Sequence, residues 1–144
     1  MTERPETNEL LELAAWSQLI QLTLRLSLLG LMLAAALGVS GYFFQKDALS
    51  QLTYMGAAMG CLVPSTVGIN LVDRIHKKLR PPFLGALLFL GATIAGQLWM
   101  FLRAEAVEAG LPWPLLLSAG YSSMMCGVMW RLRSAERSLF RESR

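Results

Sequence analysis

The stretch Gly56-Ala57-Ala58-Met59-Gly60-Cys61-Leu62-Val63-Pro64-Ser65-Thr66-Val67-Gly68-Ile69-Asn70 decides how this chain folds. It sets Gly56, Gly60, Pro64 and Gly68 four residues apart inside an uncharged, apolar run. Positions spaced by four share one side of an α-helix. A side with almost no side chain lets a second helix approach until the backbones nearly touch. In lipid, where apolar side chains gain nothing by leaving the solvent, such close approach is what brings helices together. The stretch therefore predicts the centre of a bundle immersed in a membrane.

The flanking sequence carries the same signature. The 144 residues are 54% hydrophobic and 16% charged, with a mean hydropathy of +0.45, against about 45–50% apolar and about 25% charged in soluble domains. No Asp, Glu, Lys or Arg falls within 26–44, 48–72, 83–102 or 111–130. Each run is roughly 19 to 25 residues long, enough to cross a hydrocarbon layer of ~30 Å at ~1.5 Å per residue. The prediction is one all-α membrane domain over 1–144: a four-helix bundle of two successive hairpins, with an amphipathic extension before helix 1. The first nine residues are acidic where a cleavable signal would be positive, so the first span is expected to stay in the chain. Cys61 and Cys126 both lie in predicted spans and are expected as free thiols.

Residues 1–25 read as a tail followed by a two-faced helix. Leu13, Trp16, Ile20 and Leu24 line one face, Gln18, Gln21 and Arg25 the other. Arg25 belongs at the membrane edge, where its stem can snorkel. Helix 1 proper repeats the small-residue stripe as Gly30, Ala34 and Gly38 and ends in Tyr42, Phe43 and Phe44. Gln45-Lys46-Asp47 makes so short a turn that helices 1 and 2 must be antiparallel neighbours. Pro64 removes one backbone bond from helix 2 and kinks it, unless Ser65, Thr66 or a neighbouring helix satisfies the freed carbonyl. Pro81-Pro82 separates helices 2 and 3. The connection 103–114 reads as a frayed turn and a proline-bounded re-entry, and helix 4 carries a third stripe, Ala119, Ser123 and Gly127. Residues 131–144 form a basic tail, either an amphipathic surface helix or a solvated end.

Orientation follows from Lys and Arg. Arg4, Arg25, Arg74, Lys77, Lys78, Arg80, Arg131, Arg133, Arg137, Arg141 and Arg144 fall on one side of the membrane, and only Lys46 and Arg103 on the other. The bias places both termini and the central linker in the cytoplasm, with the chain in the cell (inner) membrane.

The chemistry is sparse. No acid lies in any span, which argues against a proton-coupled exporter. The single histidine, His76, is in the linker, and no Walker-type loop, HExxH, GxSxG or CxxC pattern occurs. No enzyme activity, metal or cofactor is expected. Met55, Met59 and Cys61, with Met125, Cys126 and Met129, form a soft-ligand set of the kind that suits Cu(I), but methionine beside glycine also fills gaps in packing. Gln97 and Asn70 suit interhelical hydrogen bonds, and Gln97, Tyr121 and Ser122 are candidates to line a polar path. Arg74, Lys77, Lys78, Arg80, Arg131, Arg133 and Arg137 are candidates for contact with anionic lipids or an acidic partner protein. A net charge of +3 is largely the orientation signal, and nucleic acid is not an expected partner.

These features point to a non-enzymatic subunit or assembly factor of a larger membrane complex, docking through glycine- and alanine-lined faces on a membrane-protein partner or a second copy. Alternatives are a small transporter or channel formed by oligomerisation, and a holin-like protein. The layout over Trp16 to Arg131, with the Gly56 to Pro64 stretch in helix 2, resembles the ATP synthase protein I family, which implies an accessory role beside a membrane complex. Helix 3 lacks the family's charged residue near its start.

Overall fold

The computed structural model describes residues 5–105 and 113–141. They form four helices: α1 (Pro5–Phe44), α2 (Ala48–His76), α3 (Phe83–Glu105) and α4 (Trp113–Arg141), with no strand among the described residues. Most of the connection expected over 103–114 and the extreme ends of both tails lie outside them.

Two boundaries differ from expectation for identifiable reasons. The sequence predicts a linker from Asp73 onward, yet Asp73 to His76 continue α2. Its last turn closes when the Lys77 N–H donates to the Asp73 carbonyl at 3.0 Å and the Leu79 N–H to the Arg74 carbonyl at 2.9 Å. Lys78, at φ 55°, then leaves the helix in the left-handed conformation common at helix ends. The basic segment after Trp130, expected as either an amphipathic surface helix or a solvated end, is helical. It continues α4 without a break to Arg141, because nothing after Gly127 breaks a helix, and Leu132 anchors it as a fully buried side chain. Likewise α1 runs 40 residues as one helix, about 60 Å long.

Among the described residues, three helices are long and apolar enough to cross a membrane: Thr7–Phe44, Ala48–His76 and Phe83–Arg103. The fourth, expected over 111–130, does not share that hydropathy, because serines, a tyrosine and glycines dilute its leucines and methionines.

Close approaches fix the directions. Gly41 meets Tyr54, Gly30 meets Ser65, and Gly68 meets Ser27, so α1 and α2 are antiparallel in unbroken register. Gly56 lies against Leu115 and Gly68 against Met125, so α2 and α4 are parallel. These two form the middle of the bundle, with α1 and α3 on opposite flanks and out of contact with each other. On α1 the inward positions are Trp16, Ile20, Thr23, Ser27, Gly30, Ala34, Leu37 and Gly41, alternating by three and four as in knobs-into-holes packing. The seam is mostly small or hydroxylic, so the helices lie close. Large apolar side chains such as Leu28, Met32, Leu62, Leu88 and Leu98 point outward.

Candidate functional site

The interior is a layer of hydroxyl and amide groups at the level of Gly60 to Gly68, where all four helices contribute. Ser27, Ser65, Gln97, Ser118 and Ser122 are buried there beside Tyr121, with Thr23 buried one turn beyond on α1.

The layer begins with Pro64. A proline has no N–H, so the carbonyl four residues earlier, on Gly60, loses its helical donor. The Ser122 hydroxyl of α4 donates to that carbonyl at 2.9 Å. The neighbouring helix thus supplies the hydrogen bond the proline removed, and α2 continues unbroken through Pro64. Ser65 returns its own hydroxyl to the Cys61 carbonyl at 2.7 Å, and Thr66 donates to Val63 at 2.8 Å.

One residue further, the Tyr121 hydroxyl lies 2.8 Å from the Leu26 carbonyl on α1 and 2.8 Å from the Ser65 hydroxyl on α2. The two hydroxyls carry two protons between them for three close contacts. Tyr121 donates to the Leu26 carbonyl, and the Ser65 proton is shared between the Tyr121 oxygen and the Cys61 carbonyl. One hydroxyl group from α4 thus joins α1 to α2. Gly30 makes room for it: a Cβ there would collide with both the Tyr121 and Ser65 oxygens.

On the other flank, the Gln97 Nε2 of α3 donates to the Ser118 hydroxyl at 2.6 Å. Gln97 rests directly on Gly60, where any Cβ would collide with the amide. Its Oε1 is buried with no hydrogen-bond partner among the described residues. Of the residues expected to line a polar path, Gln97, Tyr121 and Ser122 are therefore brought together, each engaging another helix.

The predicted small-residue positions divide. Gly30, Gly60, Pro64 and Gly68 face the interior, as does Ala34. Gly56 is half-buried against Met100, and Gly38 makes ordinary contact with Ala58 at 4.0 Å. On α4, Ala119 is half-buried, Ser123 is exposed and donates to the Ala119 carbonyl, and Gly127 faces open space, as do Gly85, Gly91, Gly96 and Gly120. The inward positions of α4 are instead Leu115, Ser118, Tyr121, Ser122, Met125 and Met129. Sequence reasoning overlooked Thr23 and Ser27. The seven-residue spacing of Ser27, Ala34 and Gly41, offset from Thr23, Gly30 and Leu37, was the signal that marked them.

Met55 and Met59 are exposed on α2, while Met125 and Met129 are fully buried on α4, so the soft-ligand residues do not form one cluster. Arg74, Lys77, Lys78, Arg80, Arg131 and Arg137 are exposed or partly exposed, and Arg133 is half-buried. Lys77 pairs with Asp73 at 2.7 Å. Glu136 of α4 faces Arg80, and burial raises its carboxyl above the usual range although Arg80 and Arg137 pull the other way. Between α2 and α3, below the polar layer, runs a groove of about 390 Å³ lined by Val67, Asn70, Leu71, Arg74, Gly85 and Phe89 among others.

Comparison with protein-family models, curated proteins and solved structures finds no match to this chain.

Proposed function

We propose that the chain is a non-enzymatic integral membrane protein of four spans, with both termini in the cytoplasm of a cell whose inner membrane it occupies. Its role is that of a subunit or assembly factor docking on a larger membrane complex. The carrying observation is the division of its glycines: one set is occupied within the bundle, and a second set, Gly91 and Gly96 on α3 with Gly120 and Gly127 on α4, faces open space. In lipid such faces are where another helix packs.

The fourth span rests on where its polar groups point. Ser118, Tyr121 and Ser122 turn inward, while Leu116, Leu117 and Met124 face out, so the surface offered to lipid is apolar although the average is not. Trp113 packs edge-on against Tyr54 with ring centroids 5.7 Å apart, and Arg133 lies over Trp130. These two tryptophans stand about 26 Å apart along α4 at ~1.5 Å per residue, the spacing of interfacial belts. Pro64 and the hydroxyl layer then fall near the middle of the bilayer. A scaffold fits this layer better than a pore does, because Gln97, Tyr121 and Ser122 are each engaged with another helix.

Mild-detergent affinity purification with identification of co-purifying membrane proteins tests the reading. G91L and G127L are expected to release a partner that the native chain retains, while the variants still unfold as the native chain does. A partner kept by both variants, or lost on K77A alone, refutes docking through these faces.

A further inference from the structure

We propose that the groove between α2 and α3 is a binding site for one anionic glycerophospholipid, with the phosphate at Arg74 and an acyl chain lying along Val67, Leu71, Ala86 and Phe89. The proposal depends on the bilayer placement above but not on partner docking.

The groove is graded along its length. Its mouth holds Arg74, Asn70 and Pro82, and its walls further in are Val67, Leu71, Ala86 and Phe89, with Gly85 opening one side. From Arg74 to Thr66 it follows α2 for about 12 Å. Its volume, about 390 Å³, sits at the lower end of the roughly 300–1,000 Å³ typical of small-molecule sites. A polar, cationic mouth above an apolar cleft has the same order of chemistry as a phospholipid entering from the cytoplasmic leaflet.

Arg74 is prepared for a phosphate. Its Nε donates to the Asn70 Oδ1 at 3.2 Å, which fixes the guanidinium plane and leaves its terminal nitrogens available. The ion pair among the described residues joins Lys77 to Asp73, so Arg74 has no carboxylate there. The guanidinium fork matches phosphate oxygens in pairs. The N-terminal end of α3 opens at the same mouth, and its dipole favours an anion. Gly85 lines the cleft, and a Cβ there would meet nothing within 4 Å, so a larger side chain at this position has room to enter.

That open space supplies a test which does not threaten the fold. The purified full-length chain in mild detergent is titrated with palmitoyl-oleoyl phosphatidylglycerol or the matching phosphatidylcholine, and bound lipid is read by native mass spectrometry. One phosphatidylglycerol is expected to bind in preference to phosphatidylcholine. R74Q should weaken it at least about fivefold, the least a surface basic residue contributes toward anionic lipid. G85L should block it by filling the cleft, and K77A should leave it unchanged. Equal binding of the two lipids overturns the headgroup assignment. Full binding in G85L, or displacement by millimolar inorganic phosphate, overturns the acyl cleft, and an equal loss in K77A overturns the site in favour of diffuse charge.

Discussion

If Ser122 replaces the donor that Pro64 removes, the two residues must be energetically coupled, and the coupling can be measured. In the native chain, S122A leaves the Gly60 carbonyl buried in the middle of the bundle without either donor. Leaving a buried acceptor unsatisfied costs about 1–3 kcal/mol, whereas interhelical hydrogen bonds in membrane proteins average about 0.6 and reach about 1.7 kcal/mol. A loss of about 1–2 kcal/mol is therefore expected. In a P64A background residue 64 has an N–H, which donates to Gly60 along the helix, and the same S122A change should cost only about 0.5 kcal/mol or less. P64A alone also loses packing volume, but that term cancels around the cycle. The assay is reversible unfolding in mixed micelles titrated with SDS, followed by helical circular dichroism. A coupling of about 1 kcal/mol is expected; an S122A cost that is the same in both backgrounds, within about 0.3 kcal/mol, refutes the compensation.

Further outcomes are open to the same assay. G60A should destabilise by about 1–3 kcal/mol or more, since the new methyl displaces Gln97 and Ser118, while G127A, which meets open space, should be neutral or stabilising by about 0.5–1 kcal/mol; equal effects would mean the two glycines are not differently placed. Y121F should cost about 1 kcal/mol, because it removes the hydroxyl joining α1 to α2 while both helical carbonyls keep their backbone donors. Glu136 gives a pH signature. Its carboxyl is raised in the folded chain, so between the ordinary carboxylate range and the raised value the folded state holds more protons than the unfolded state. Stability therefore falls as pH rises through that window. E136Q should flatten the fall, and identical slopes over about pH 4 to 7 would show that Glu136 does not cause it.

The sequence made some of this legible and concealed the rest for physical reasons. The three-residue turn at Gln45 to Asp47 and the proline pair at 81–82 admitted few alternatives, and the structure places helix ends at both. The stripe in α2 was also readable, because glycine weakens a helix unless its missing side chain admits a neighbour, and Gly60 and Gly68 carry close neighbours. The equivalent stripe on α4 was not. Ala119, Ser123 and Gly127 share a helical face just as Gly56, Gly60 and Gly68 do, yet Ser123 and Gly127 point away from the bundle. Spacing identifies residues that share a face, but the direction of that face is set by what the other helices present. On α4 the decision belonged to Ser122 and Tyr121, whose hydroxyls have partners only toward α2 and α1. The length of α4 was concealed differently: after Trp130 the composition changes from apolar to basic, which reads as a boundary, although no residue there breaks a helix.

The same polarity logic explains why the interior uses hydroxyls rather than charges. An exposed hydroxyl on an apolar helix face bonds within its own helix, and Thr53, Thr66, Thr93 and Ser123 do so. A hydroxyl facing inward can reach across instead, as Ser122 and Tyr121 do. Charges would carry a desolvation cost that four closely packed helices have no counter-ion to offset. Small hydroxylic residues occupy little volume, so the seam that holds the bond also admits the close approach that makes it short. Pro64 takes part in both. By removing a donor on α2 it frees an acceptor that Ser122 of α4 satisfies, which favours the rotation of α4 that aims Ser122 at Gly60. The orientation that aims Ser122 at Gly60 is the one that turns Gly120, Ser123 and Gly127 outward, so the proline inside the bundle bears on which small-residue face of α4 is left exposed.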